Sequence, residues 1–219
     1  MNTFSKLARL SLIGCAAALA WGTQASAATV VTLGDQDFAD GAAMNVAAFQ
    51  LPQAGEPAPF GVFIGNDFGT NGSTSFTFAY AAGTATAGSL TFGIYDHDSR
   101  APGNQVASFT LDGVDLTADL NTLFESHGGL QAEVSLYTLA LSGAALAALS
   151  DGSATFSLAL TGPGLQGSPG TTGTTTDFNG FGLDFARLEV AAVPEPETYA
   201  LMLAGLAALG FVVKRRRTA

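Results

Sequence analysis

Short runs in which every second residue is apolar constrain the fold of this chain more than any other feature. The runs are Phe76, Phe78 and Tyr80; Leu90, Phe92 and Ile94; Ala107, Phe109 and Leu111; Phe156, Leu158 and Leu160; and Phe181, Leu183 and Phe185. Because strand side chains point alternately to two faces, each run can bury one face. Gly-rich turns separate the runs, and no regular helices intervene. The pattern predicts about eight strands in an all-β, antiparallel β-sandwich of jelly-roll type.

Local details of the sequence give further structural expectations. The first two runs flank a turn at 82–88, so we expect them to form a hairpin. In the segment 134–141, Val134 and Leu136 point one way and Leu139 and Leu141 the other, which predicts a β-bulge near Leu136.

Other segments are less regular. We expect one short helix around 42–49, a short helix or a long loop at 114–129, and one helical turn at 144–149. The Gly- and Thr-rich segment 162–176 predicts a mobile loop. Asp184 alternates with apolar residues, so we expect it to face away from the core and to pair with Arg187 on the surface.

The first 27 residues have the pattern of a secretory signal peptide. Lys6 and Arg9 precede an apolar run at 10–21, and Ala25 and Ala27 are small residues at the positions that a signal peptidase requires. We therefore expect cleavage by signal peptidase after Ala27.

A lipoprotein signal is the competing interpretation, because Leu12-Ile13-Gly14-Cys15 has the residue types of a lipidation box. The apolar run continues past Cys15, which favours signal peptidase. Since Cys15 is the only cysteine, the mature chain would have no thiol, which excludes disulfides and zinc–thiolate sites.

The last residues of the chain predict a membrane helix. No residue between Glu197 and Lys214 is charged, and we expect a transmembrane helix over 198–213. The fifteen apolar residues 199–213 reach only about 22 Å as a helix, short of the roughly 30 Å of hydrocarbon, so Thr198 would have to extend the helix and basic side chains would have to snorkel. The basic residues that follow place the C-terminus in the cytoplasm; they are Lys214, Arg215, Arg216 and Arg217.

The tripeptide Pro194-Glu195-Pro196, the apolar helix and the basic tail follow one another at the end of the chain. Together, residues 193–219 resemble the PEP-CTERM sorting signal that exosortases recognise in Gram-negative bacteria. The resemblance implies a transient anchor in the inner membrane, cleavage near the motif, and delivery to the cell surface or the extracellular matrix. The alternative is a single-span anchor that is never cut. The chain thus divides into a signal peptide (1–27), an exported β domain (28–192) and a sorting signal (193–219).

Charge is distributed unevenly along the chain. All 18 acidic residues lie between Asp35 and Glu197, whereas six of the eight basic residues lie in the two removable ends. Only Arg100 and Arg187 remain in the exported domain. Such a surface repels nucleic acid and anionic lipids and attracts divalent cations. A solvated acidic surface that limits aggregation explains the same composition.

The acidic residues after the second run form the best candidate metal site. Asp96 and Asp98 are two residues apart in a turn, and Asn104 adds a third oxygen. Oxygen ligands of this kind suit calcium, the one cofactor that the sequence suggests. The spacing does not match an EF-hand loop, and a solvated acidic turn is the alternative.

The sequence contains no assembled catalytic set, and we expect a non-enzymatic protein. The chain has two histidines, His97 and His127, and no Gly-x-Ser-x-Gly motif. By the resemblance of the tail, the domain would act in exopolysaccharide association, adhesion or the biofilm matrix. The alternatives are a secreted carbohydrate-active hydrolase, for which no carboxylate pair is singled out, and a calcium-dependent lectin-like module.

Overall fold

The computed structural model describes residues 27–193 and 202–209. The signal peptide before Ala27, with Ala25, lies outside the described residues, as do Pro194, Glu195 and Pro196 and the basic residues 214–217. Residues 202–209 are helical, inside the predicted membrane helix 198–213, whose other residues are not described. In the described part of the chain no helix is long and apolar enough to cross a membrane.

Strands account for most of the regular structure between Ala27 and Val193. They are β1 (Ala27–Gly34), β2 (Phe63–Ile64), β3 (Ser73–Ala79), β4 (Thr84–Tyr95), β5 (Val106–Leu111), β6 (Val114–Asp115), β7 (Val134–Leu141), β8 (Ser153–Leu160), β9 (Gly164–Gln166), β10 (Thr174–Thr176) and β11 (Phe181–Val193). Three short α-helices lie between strands in this range: α1 (Val46–Gln50), α2 (Thr117–Glu125) and α3 (Gly143–Ala148). All three fall within segments where the sequence predicts helix or allows it.

The strands form two main sheets. One has the order β1-β11-β4-β7, with β2 also paired to β11, and the other has the order β3-β8-β5-β6. β9 and β10 pair with each other. Every strand pair is antiparallel, so the prediction of an all-β, antiparallel fold is confirmed.

The main core lies between the inner faces of the two sheets. Phe156 of β8 is fully buried, and its ring lies 5.7 Å from that of Phe76 and 5.8 Å from that of Phe109. Phe92 of the other sheet reaches across to Phe109 at 6.5 Å. The alternating apolar residues of the sequence therefore bring the two sheets together, because each ring buries a large apolar area.

The predicted hairpin between β3 and β4 is wrong, because these strands belong to different sheets. β3 pairs with β8, whereas β4 lies between β11 and β7. In the connection, Tyr80 N donates to Gly152 O and Gly83 N donates to Ser150 O. The turn before β8 thus accepts hydrogen bonds from two backbone N–H groups of this connection, which crosses from one sheet to the other.

The predicted bulge near Leu136 is also wrong. β7 pairs with β4 without a register shift from Val134 to Leu141. Val134 and Leu136 pack in a second apolar cluster with Phe49 and Tyr95, whereas Leu139 and Leu141 face the main core. The apparent change of phase arises because the strand contributes to two cores on opposite faces. β11 pairs with β4 with register shifts between Leu183 and Phe185 and between Ala191 and Ala192.

Residues 162–176 include a small hairpin where the sequence predicts a mobile loop. Thr174 pairs with Gln166 and Thr176 with Gly164. Side-chain alternation cannot predict strands of three residues that are held by long-range neighbours.

The direction of β11 defines two ends of the domain. Its last residues, Ala192 and Val193, pair with Ala27 and Thr84 at what we call the proximal end. Its first residues pair with β2 and with Tyr95 at the distal end. The 13 residues of β11 separate these ends by about 40 Å. Both termini of the described domain therefore lie together, next to the start of the tail.

Replacing Phe156 with Ala should lower the free energy of unfolding by about 3–5 kcal/mol, because it opens a cavity among stacked rings. Phe68→Ala is the matched control, since this ring is 67% exposed, and should change stability by less than about 0.5 kcal/mol. Chemical denaturation measures both values. Equal losses of stability in the two variants would contradict the placement of Phe156 in the core.

Candidate functional site

A pocket of about 300 Å³ lies at the distal end, where four segments of the chain converge. The segments are the end of β4, the residues before β7, the loop after β2 together with the start of α1, and the turn after β9. Its lining includes Asn45, Phe63, Asn66, Asp67, Phe68, Tyr95, Asp96, Gln131, Ala132 and Gln166. This mixture of aromatic rings, amides and carboxylates is typical of a site for a small polar ligand.

Asp96 and Asp98 are buried beneath this pocket rather than solvated. Both residues have positive φ angles, 61° and 58°, a conformation that Asp tolerates better than most residues. Asp96 Oδ1 accepts from Ala132 N at 2.5 Å, and Asp98 Oδ2 accepts from Leu165 N at 2.7 Å. The turn therefore connects β4 to the loop before β7 and to β9.

Burial raises the pKa of both carboxyl groups. The charge of Asp67 raises the pKa of Asp96 further, and the charges of Asp96 and Asp67 raise that of Asp98. Two neighbouring buried carboxyls cannot both ionise cheaply, so Asp98, whose pKa is raised to about 10, holds a proton at neutral pH. The pair then carries one negative charge in place of two.

His97 lies on the core side of the same turn and is fully buried. Its Nε2 lies 2.8 Å from the Tyr137 hydroxyl, which donates its own hydrogen to the carbonyl of His127. His97 Nε2 is therefore the donor in the first of these bonds. Burial lowers the pKa of His97 to about 3, so the ring is neutral. His97 is not among the pocket-lining residues, and its contacts give it a structural role.

Of the three predicted calcium ligands, the structure brings together Asp96 and Asp98, while Asn104 is exposed. Within residues 27–193 and 202–209, no group of three or more His, Cys, Asp or Glu side chains is arranged to hold a metal ion. Calcium at Asp96, Asp98 and Asn104 stays a prediction.

Asp67 is a pocket residue that the sequence argument missed. It is 8% exposed, and its Oδ1 accepts from Gly180 N at 3.0 Å. Burial raises the pKa of Asp67, and its charge contributes to the raised pKa of Asp96, so the two carboxyls share one electrostatic environment. The available signal was the turn Asn66-Asp67-Phe68-Gly69, in which a large aromatic residue stands among turn-forming residues.

The expectation that Asp184 faces solvent and pairs with Arg187 is wrong. Asp184 is fully buried and accepts from Asp37 N at 3.2 Å and from Gln53 Nε2 at 3.2 Å. The register shift in β11 falls at this residue, and the loop after β1 covers it. Arg187 instead pairs with Glu189. Burial raises the pKa of Asp184 to about 6.

Comparison with known proteins bears on the end of the chain rather than on the pocket. Residues 192–217 match the family model of the PEP-CTERM protein-sorting motif, which confirms the resemblance found in the sequence. No curated protein matches the chain.

Acidification from about pH 7 to pH 5 should stabilise the domain. The pKa of Asp184 is higher in the folded chain, about 6, than its ordinary value of 3.8. The folded state therefore binds more protons within this window, and stability falls as pH rises through about 6. Asp184→Asn should reduce the gain on acidification by about 1.3 kcal/mol, the part of the linkage that falls between pH 7 and pH 5.

Urea denaturation at each pH measures this effect. Glu125→Gln, which neutralises an exposed acid of α2, is the control and should leave the gain unchanged. A parent protein whose stability falls steadily below pH 7 would contradict the burial of Asp184.

Proposed function

We propose that this chain, an exported protein that its PEP-CTERM motif directs to an exosortase, associates through its β domain with exopolysaccharide at the cell surface or in the biofilm matrix. The position of the motif carries the export part of the proposal, and the association with exopolysaccharide is inferred from the kind of sorting signal. The family match begins at residue 192, within the last residues of β11, so the sorting tail directly continues a central strand of the domain.

The proposed route of export follows from both ends of the chain. Signal peptidase removes residues 1–27, and the helix 198–213 holds the protein in the inner membrane with residues 214–217 in the cytoplasm. Exosortase cleavage near Pro194 then releases the domain to the surface. Since Ala28, the first residue of the mature chain, pairs with Ala191, the two ends of the exported domain lie together at the proximal end. The pocket lies at the distal end, which suits a ligand outside the membrane.

We also assign the domain to the jelly-roll type of β-sandwich. Jelly rolls place eight strands, in two Greek keys, in two facing sheets. The strand orders β1-β11-β4-β7 and β3-β8-β5-β6 support this assignment, because the chain passes repeatedly from one sheet to the other. Such a fold leaves connecting loops at the ends of the sheets, where the pocket lies.

A non-enzymatic role is part of the proposal. The pocket lining contains no Ser, Cys, His or Lys, so it lacks the usual nucleophiles and a histidine base. A carbohydrate-active hydrolase is the second candidate, favoured by the two pocket carboxyls Asp67 and Asp96, whose pKa values burial raises. Release of reducing ends from the host polysaccharide by purified protein would favour the hydrolase.

Deleting the host's exosortase should leave the protein larger by the length of the tail and retained in the membrane fraction. Replacing Pro194, Glu195 and Pro196 with Ala should have the same effect, because the motif is what the enzyme recognises. Immunoblots of fractionated cells measure size and location. Identical size in the parent and deletion strains would reject cleavage and leave a permanent anchor.

The mature protein should melt at a higher temperature in the presence of the host's exopolysaccharide, because a ligand of the folded state stabilises it by mass action. At a ligand concentration 100 times Kd the gain is about 2.7 kcal/mol. Absence of a shift in melting temperature with polysaccharide would count against the proposed role.

The same melt with millimolar calcium tests the predicted calcium site at Asp96 and Asp98. The variant with both residues replaced by Ala should lose any shift in melting temperature that calcium causes.

A further inference from the structure

We propose that the distal pocket binds a positively charged amino-sugar unit, with Asp67 and Asp96 facing its ammonium group and Phe68 packing against its ring. This inference rests on the proposed association with exopolysaccharide and names the sugar class that the site would accept. It depends on three properties of the pocket: its charge, its unused polar groups and its exposed aromatic ring.

The charge of the pocket is entirely negative. Its lining includes the carboxyl groups of Asp67 and Asp96, and it contains no Lys, Arg or His. Both carboxyls already accept a backbone N–H, from Gly180 and Ala132 respectively, but these donors carry no net charge. A cation in the pocket would compensate the negative charge of the carboxyls. The hydrogen bonds that it donates to them would also be stronger than those from a neutral donor.

Polar groups without a partner lie in the same wall. Gln131 lines the pocket, and its Oε1 is buried without a hydrogen-bond partner among the described residues, so a ligand N–H or O–H group that reaches this oxygen would satisfy it. The side-chain oxygens of Asn45 and Asn66 accept from Ala48 N and Phe68 N, which leaves their amide N–H groups as donors. Hydroxyl groups of a sugar are both donors and acceptors and suit this mixture.

An exposed ring completes the site. Phe68 is 67% exposed beside the pocket, and its backbone N donates to Asn66 Oδ1 at 3.0 Å, which fixes the turn that carries it. Aromatic faces attract both the apolar face of a sugar and a nearby ammonium group. A volume of about 300 Å³ is at the lower limit for ligand pockets, which suits one sugar unit of a chain.

The surroundings of the pocket favour a cationic polymer over a neutral or anionic one. Asp35, Asp37 and Asp40 follow β1 at the distal end, and Glu133 lies beside Asp96, whose N–H its carbonyl accepts. His127 pairs with Asp40 and Arg100 lies near Glu133, so acids outnumber basic groups around the pocket. Clustered charge of one sign raises the local concentration of an oppositely charged ligand. A lone divalent ion suits the pocket less well, since no group of three acidic or histidine side chains is placed to hold one in the described ranges.

The test compares two ligands of equal length that differ in charge. Mature protein is titrated calorimetrically with a glucosamine oligomer and with the matching N-acetylglucosamine oligomer. The titration is done at neutral pH, because acid would protonate the pocket carboxyls, whose pKa values are raised. We expect the charged oligomer to bind at least about tenfold more tightly, as charge-assisted hydrogen bonds predict. Asp67→Asn should weaken its binding by about tenfold, and Phe68→Ala by about threefold to fivefold.

The matched control is Asp151→Asn, which removes an exposed carboxylate next to β8 at the proximal end and should leave binding unchanged. Asn can still accept from Gly180 N, and circular dichroism melts verify that each variant is folded. Equal binding of both oligomers, or equal losses in the Asp67 and Asp151 variants, would overturn the proposal.

Binding of the native exopolysaccharide distinguishes the amino-sugar proposal from the proposed association of the domain with exopolysaccharide in general. If it binds while neither oligomer does, the amino-sugar assignment is wrong and the proposed function stands. If neither it nor the oligomers bind, both are wrong. Polylysine that competes for the pocket as strongly as the glucosamine oligomer would show a preference for basic peptides, and would also overturn the proposal.

Discussion

The pairing of β11 along both of its edges is the constraint on which the rest of the structure depends. This strand pairs with β1 on one side and with β4 on the other, and at its first residues also with β2. It thereby holds the beginning of the domain against the strand that leads into the sorting tail. Since such contacts are distant in sequence, the main sheet is complete only when the whole domain has been made. One strand therefore links the beginning of the described domain to the segment where the sorting motif starts.

A shortage of basic side chains determines how the acids of the distal end are buried. With only Arg100 and Arg187 in the exported domain, most buried carboxyls have no cationic partner and use backbone N–H groups. Asp96 accepts from Ala132, Asp98 from Leu165, and Asp67 from Gly180. Every one of these donors lies in a segment far from its acceptor along the chain. The carboxyls thus hold the loops in place around the pocket, at the cost of raised pKa values.

The sequence was sufficient to predict the long strands, but not the short strands β9 and β10 or the pairing partners of the strands. Alternation places Phe76, Phe92 and Phe156 on buried faces, because it depends only on local geometry. It contains no information on pairing, so β3 and β4 look like a hairpin although they lie in different sheets. Asp184 was misplaced because its burial depends on the loop 35–59, which has no periodic pattern. For the same reason the sequence identified Asp96 and Asp98 but not Asp67, which reaches them only through the fold.

The unequal distribution of charge along the domain fits its proposed attachment. The segments that meet at the proximal end, 79–87 and 191–193, are uncharged and rich in Ala, although Asp112 and Asp151 lie near Tyr80. A strongly acidic surface held against anionic lipid would be repelled, since each charge interacts with the surface potential within about 10 Å. With the β11 strand placing most buried acids about 40 Å from the tail, that repulsion is screened. The same separation places the pocket and its carboxyls at the end of the domain opposite Val193, where the segment that carries the sorting motif begins.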